Sequence, residues 1–321
     1  MLSIVCVTRG DEKIDDWIPY HLDFFENNLN QEWEVLVVSA KRLDKWKTFH
    51  PRLKIKESSA PGYGRIVQGY EEALYDFVFS IADDDYITNF NSNFIDLFTQ
   101  QNVIGVVPEV MFSTLNEWSE RLEDPKLFFA TSSKAKLNAA SSDERINNYL
   151  TPPLPGDNSP YYGIYRRKAH LASIKEYLWF FDREYIATDW AITLALLSRG
   201  AVLKCDGFRM IRHMTPMTKT LTQKNLTLKL SVNQSKILKA MPFLPILTFI
   251  RDFLVEDKTK VWRNLVQWNL IRYSQLENSG LLTNEDKFDH LSIIQIFQES
   301  TWSQDGNDYI FNIYDMINEQ T

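Results

Sequence analysis

The stretch FSIADDDYITNF, residues 79–90, sets three consecutive aspartates directly behind an apolar run. A short apolar run bounded by polar residues reads as a buried strand, and the three carboxylates fall where that strand ends. Side by side they repel one another, so the arrangement needs either free water around it or a cation within it.

Outward from this stretch, β-branched runs alternate with helix-like segments. The runs are LSIVCVT (2–8), WEVLVVS (33–39), RLKIK (52–56), DFVFSIA (76–82) and NVIGVVP (102–108). Between the first two, DDWIPYHLDFFENNL carries Trp17, Tyr20, Phe24 and Leu29 at near-helical spacing. Between the third and fourth, a Pro/Gly turn precedes a helix bearing Ile66, Tyr70 and Leu74 four residues apart. Such alternation is how a mostly parallel sheet with crossover helices is written. Continuous apolar strands imply that both sheet faces are covered. Ligands of such sheets collect at the carboxyl ends of the strands, where the triad sits; a solvated acidic turn would occupy the same place.

Residues 113–160 are polar and irregular and end in TPPLPGDNSP, a loop of the kind that carries function or motion. Then come YYGIYRR, a helical stretch to Trp179, and ATDWAITLALLSRGAVLKCDGFRMIRHM. In the last, Thr188 is placed to cap a helix with Trp190, Leu194 and Leu197 on its apolar stripe, Gly200 stops it, and AVLKC returns as a strand. Beyond His213 the sequence turns helix-rich and aromatic, with Trp262, Trp268, Tyr273 and Trp302. The division is an α/β domain over 1–215 and a helical C-terminal region over 216–321.

The 321 residues are 44% hydrophobic and 24% charged with no low-complexity tract, the profile of a globular protein. A formal charge of −7 argues against nucleic acid as a partner, because phosphate contacts need a concentrated positive surface. Cys6 and Cys205 both lie in apolar runs and read as small buried hydrophobes; two cysteines make neither a disulfide framework nor a cysteine zinc site. The apolar run 241–250 falls short of the roughly 20 residues of a membrane helix, and the first residues lack a secretory pattern, so a cytoplasmic enzyme is the expectation. Lys236, Lys239 and Arg251 flank that run. Packing on the catalytic domain or a second subunit is its expected role, with a membrane-surface or acceptor-binding element as the alternative.

A divalent cation held by few carboxylates and by phosphate oxygens is the usual way to hold a nucleotide diphosphate. Asp83 and Asp85 point to one side of the chain if extended geometry persists through Ala82. Asp189, after a capping Thr, is a carboxylate that the helix dipole favours with no chemistry required. His213 is a fair metal ligand, and Arg212 beside it has the fork that pairs with phosphate. Arg65 follows the Gly62–Gly64 turn, where it reaches phosphate or base or simply lies exposed. Tyr161 and Tyr162 can stack on a sugar or pack in the core.

Taken in order, the strand LSIVCVTRG, the strand-end IADDDYI, the segment GIYRRKAHL, the TDW at 188–190 opening a helix that ends LLSRG, and His213 resemble the glycosyltransferases of the GT-A fold. The resemblance covers residues 2–214 and is greatest to the family 2-like nucleotide-sugar transferases. It implies a Rossmann-like, mostly parallel α/β sheet flanked by helices. It also implies a nucleotide-diphosphate sugar donor and a glycan or other hydroxyl acceptor. The Asp-x-Asp element maps onto Asp83 and Asp85 with a manganese or magnesium ion, Asp84 lying beside it on the donor. Asp189 maps onto the base of an inverting transfer and His213 onto the rest of the metal shell. The resemblance implies that Thr8 and Arg9 face the nucleotide, with Arg65 as a further donor-binding candidate.

Two features depart from that pattern. The second strand ends VVSAKR, with Ser39 and Ala40 where the family carries an acidic reader of the base, and TDW stands in place of a Glu-Asp pair. Two other classes remain: a nucleotidyltransferase, and a non-catalytic sugar- or partner-binding protein on the same fold. The first generally needs a glycine-rich basic loop after the first strand, where this chain has TRGDEK, and PGYGRIVQG lacks the Lys-Ser/Thr of a P-loop.

Overall fold

The computed structural model describes residues 1–10, 12–113, 127–129, 136–150, 159–180 and 188–213. The expected helical region 216–321 and much of the loop expected over 113–160 lie outside the described residues. Four strands, β1 (Leu2–Thr8), β2 (Trp33–Ser39), β3 (Leu53–Glu57) and β4 (Phe77–Ala82), pair in parallel in the order β3-β2-β1-β4. The first two match their expected bounds and the next two begin one residue later.

The same sheet continues through β5 (Tyr86–Asn89), β6 (Val103–Ser113), β7 (Leu127–Phe129), β8 (Ile164–Arg166) and β9 (Ala201–His213). Its full order is β3-β2-β1-β4-β8-β6-β9-β5, with β7 on β6. Strands β5, β7 and β8 run antiparallel to their neighbours, and β6 and β9 are parallel to each other. The class is therefore α/β as expected, with a mixed rather than uniformly parallel second half.

Helices α1 (Lys13–Asn28), α2 (Gly62–Glu72), α3 (Phe94–Leu97), α4 (Ser142–Leu150), α5 (Arg167–Phe180) and α6 (Thr188–Arg199) flank the sheet. On α1 the buried stripe is Ile14, Trp17, Ile18, His21, Leu22 and Phe25, the three-and-four spacing of one helix face. Tyr20 and Phe24, expected on that stripe, lie at its half-buried edge. Each large apolar side chain so buried contributes about 1.5–3 kcal/mol.

Helix α2 lies close on the sheet because Gly69 has no Cβ; one there would stand 2.5 Å from Val5 Cγ1. The helix stops at Glu72, and Leu74, expected on its apolar stripe, is 62% exposed. The cause is Glu34, a buried carboxylate on β2 that accepts the Leu74 backbone N–H at 2.6 Å and draws the chain out of the helix. Ser3 Oγ and Lys54 Nζ, each at 2.7 Å, complete its partners.

In α6 every residue from Ala191 to Leu197 is buried, so its apolar stripe widens to the whole circumference. Arg145 holds its C-terminal end, donating to the carbonyls of Leu197 (2.6 Å) and Ser198 (3.3 Å) and to those of Ala139 and Ala140 (2.8 Å each). Cys6 and Cys205 are buried and unbridged. Among the described residues no helix is long and apolar enough to cross a membrane.

Candidate active site at the carboxyl ends of β1 and β4

Chain order reverses between β1 and β4: β2 and β3 lie on one side of β1, β4 on the other. In an open α/β sheet such a switch point leaves a crevice beyond the strand ends. The register pairs Val7 with Ala82, so the next residues on each strand, Thr8 and Asp83, meet there. Thr8 Oγ1 donates to Asp83 Oδ2 and accepts the Gly10 backbone N–H at 2.9 Å. Gly10 makes this turn at φ +76°, a conformation that suits glycine. Arg65, from the first turn of α2, is only 8% exposed and donates from Nη1 to the Thr8 carbonyl at 2.5 Å. Its Nε is buried without a hydrogen-bond partner among the described residues. Arg9 is exposed beside them.

Extended geometry ends at Ala82. The Asp85 N–H donates to the Ala82 carbonyl at 3.2 Å, which closes a turn around Asp83 and Asp84. Strand alternation lapses in a turn, so the expectation that Asp83 and Asp85 share one side of an extended chain is corrected. Asp83 and Asp84 stay partly exposed, with Lys13 Nζ 3.5 Å from Asp84. Asp85 is 1% exposed.

What takes Asp85 inward is the antiparallel pairing of β5 with β9. Tyr86 pairs with Ile211, and one step further along each strand Asp85 stands opposite Arg212. Arg212 Nε lies 3.3 Å from Asp85 Oδ2. Helix α1 pins this segment from behind: Trp17 Nε1 donates to the Asp85 carbonyl (3.1 Å) and Tyr20 to that of Ile87 (2.8 Å), while His21 Nε2 faces the Ile87 N–H (3.4 Å). Burial holds the His21 imidazole near a pKa of about 3, so it is neutral and accepts.

The Arg212 guanidinium lies 3.4 Å from the ring centroid of Tyr162, a close cation–π contact. Tyr162 is at this end of the sheet because β8 runs antiparallel to β4, so the residues preceding β8 emerge at the carboxyl end of β4. Its hydroxyl donates to Asp189 Oδ2 at 3.1 Å, and Tyr63, from the start of α2, donates to Asp189 Oδ1. Asp189 sits in the first turn of α6, where the helix dipole favours a carboxylate. Burial nevertheless lifts its pKa to about 6, opposed by the nearby Arg212 charge. Burial works against charge on Arg212 too, but Tyr162, Asp85 and Asp189 around it hold its pKa above the ordinary value.

The structure thus brings Thr8, Arg65 and Asp83 together at one point, Asp85, Arg212, Tyr162 and Asp189 into a linked row, and Asp84 to the rim. His213 ends β9 paired with Ser113; its side chain lies outside the described residues. Tyr63 is the participant that sequence reasoning missed, and its only signal was a place beside Arg65 in the turn. Arg212, expected on phosphate, is taken by Asp85. Arg166 and Arg167, the two arginines of YYGIYRR, donate to carbonyls, Arg166 to Val103 (3.0 Å) and Phe98 (2.8 Å), Arg167 to Ala73 (2.6 Å).

Among the described residues no three His, Cys, Asp or Glu side chains are grouped to hold a metal by themselves. A manganese or magnesium ion takes hard oxygen ligands and keeps much of its shell as water and phosphate oxygen. The half-exposed carboxylates of Asp83 and Asp84 fit that demand. Asp85, the expected metal ligand, is buried with its Oδ2 3.3 Å from the Arg212 guanidinium.

No protein-family model and no curated protein match this sequence. Among solved structures, the chain is similar to S. aureus TarS residues 1–349, at 16% identity and a TM-score of 0.42 over 86% of this chain and 83% of that one. It is similar to the same protein in complex with UDP-GlcNAc at 14% identity and a TM-score of 0.41, over 86% and 83%. GalNAc-T7 with UDP, GalNAc and Mn2+ is similar at 11% identity and a TM-score of 0.47, over 88% of this chain and 58% of that one. These are likenesses of outline at low identity, and they assign neither residues nor a substrate to this chain.

Proposed function

We propose that the protein is a GT-A-type, family 2-like glycosyltransferase that moves a sugar from a nucleotide-diphosphate donor to an acceptor hydroxyl with inversion, Asp189 acting as base. The observation that carries this reading is Asp189 itself: a half-buried carboxylate whose pKa is lifted to about 6, held by two tyrosine hydroxyls and linked through Tyr162 and Arg212 to the acids at the β1–β4 switch point. A base is most useful when its pKa lies near the working pH. A purely structural helix-start carboxylate gains nothing from being buried enough to resist ionisation.

In this reading the donor lies across the ends of β1 and β4. Arg65, already buried with an unfilled donor, supplies a fixed positive charge and N–H for the nucleotide part, and Thr8 orients Asp83. Asp189 accepts the proton of the acceptor hydroxyl as its oxygen attacks the anomeric carbon. The new C–O bond forms while the bond to the phosphate oxygen breaks, and the electron pair leaves on the nucleoside diphosphate. Direct displacement of this kind inverts the anomeric centre. Tyr63 and Tyr162 hold the carboxylate in place and stabilise its charged form through their O–H donors. A divalent ion, when bound, would be held by Asp83 and Asp84 and would neutralise charge on the leaving diphosphate.

The test is a thermal-shift screen of UDP, GDP, CDP and ADP, each with and without manganese, followed by transfer assays with the sugar nucleotide of the responding base. Stabilisation by one nucleotide, and transfer lost in Asp189→Asn with nucleotide binding kept, is the expected result. No response to any nucleotide sinks the reading in favour of a non-catalytic protein. Release of pyrophosphate in place of nucleoside diphosphate sinks it in favour of a nucleotidyltransferase.

A further inference from the structure

Three adjacent carboxylates call for a cation, and the fold provides one covalently. We propose that Arg212 is the resident counter-cation of Asp85, so that a divalent ion reaching this strand end meets Asp83 and Asp84 but not Asp85. The inference concerns the protein alone and stands apart from the transferase reading, since it needs neither donor nor acceptor.

Four independent features fix the pair. Sheet register sets the two residues opposite each other across β5 and β9. Both are withdrawn from water, Asp85 with its side chain 1% exposed and Arg212 with 16%. The guanidinium carbon lies over the Tyr162 ring, 3.4 Å from its centroid, a cation–π contact that favours this placement. The Asp85 backbone is held by Trp17 from the opposite side. A hydrated ion would have to shed water to reach Asp85 and would strand a buried guanidinium, which is the costly half of breaking a buried ion pair. Magnesium in particular gives up its water reluctantly. Among the described residues the other charges near the pair are Asp189 beyond Tyr162 and Asp84 in the adjoining turn. Lys13 stands near Asp84 and Arg65 beside Thr8, while Arg212 is the cation at Asp85.

The experiment measures manganese binding to the nucleotide-free protein by the loss of the free-ion electron-spin signal. The variants are Asp85→Asn, Arg212→Lys, Arg212→Met and the double change Asp85→Asn with Arg212→Met. The expected result is that Asp85→Asn leaves the wild-type affinity unchanged within twofold and Arg212→Lys does the same. Arg212→Met, which uncovers the carboxylate, tightens manganese binding at least tenfold, and the added Asp85→Asn removes that gain. The proposal is overturned if Asp85→Asn alone weakens binding several-fold, or if folded Arg212→Met binds manganese no better than wild type. Should Arg212→Met not fold, as far-ultraviolet circular dichroism would report, Asp85→Asn decides alone. Nucleotide response is read in separate samples, so failure of the transferase reading leaves this outcome untouched.

Discussion

Tyr162 and Asp189, 27 residues apart in the chain, meet through a 3.1 Å hydrogen bond from the phenol to the carboxylate, and the same tyrosine ring carries the Arg212 guanidinium on its face. One aromatic side chain therefore couples the proposed base to the acids at the end of β4. The two ends of this linked row share a support, and changes at either are expected to register at the other.

The pH dependence follows from Asp189. With its pKa raised to about 6, only the ionised form removes a proton, so kcat/KM should fall about tenfold per pH unit below about pH 6. Asp189→Asn should lower turnover by about 10²–10⁴ and abolish this acid limb while nucleotide affinity stays within a few-fold. A steady-state pH profile checks both.

The same shift predicts a stability effect of definite sign. Asp189 titrates near 6 when folded and near 3.9 when unfolded, so between these values the native state holds the extra proton. Its contribution to stability is fully present below about pH 4 and is lost as pH rises through about 6. Asp189→Asn should stabilise the protein at pH 7 by at most about 3 kcal/mol and have little effect near pH 4. Urea melts at the two pH values separate the cases.

Removing either phenol O–H should weaken the hold on the charged carboxylate. Tyr63→Phe and Tyr162→Phe should each move the acid limb up by about 1–2 units, because a bond to a charged group contributes about 1.5–3 kcal/mol net. Tyr162→Ala should cost more than Tyr162→Phe, since the ring beneath Arg212 goes with it. The measurement is the pH profile of each variant.

Arg65→Met should raise the dissociation constant of the responding nucleotide about tenfold or more, the loss of one charge-assisted contact. Isothermal titration measures it. Equal affinity in wild type and variant would remove Arg65 from the donor site.

Arg145→Met tests the scaffold. The side chain meets four carbonyls at the C-terminal end of α6 and the segment before α4. Leaving buried acceptors unpaired should lower stability by about 2–4 kcal/mol, read as a lower urea midpoint at unchanged slope.

Strand positions were legible because they rest on local apolar runs: LSIVCVT and WEVLVVS are β1 and β2 residue for residue. The place of the aspartate triad at a strand's carboxyl end, and of Asp189 in the first turn of a helix, followed from the same patterns. Leu74 did not, because the end of α2 is decided by a buried carboxylate 40 positions earlier. Nor did the partners of Asp85. Arg212 lies 127 residues away and reaches Asp85 only through the antiparallel register of β5 on β9.

Composition, periodicity and the punctuation of Gly, Pro and capping residues set which segments become strands and helices, since those depend on neighbours within a turn or a pleat. Which carboxylates remain open and which are neutralised was decided by sheet order and register. Electrostatic partners are chosen by distance in space, and only the folded sheet brings Tyr63, Tyr162, Asp189 and Arg212 to the end of β4.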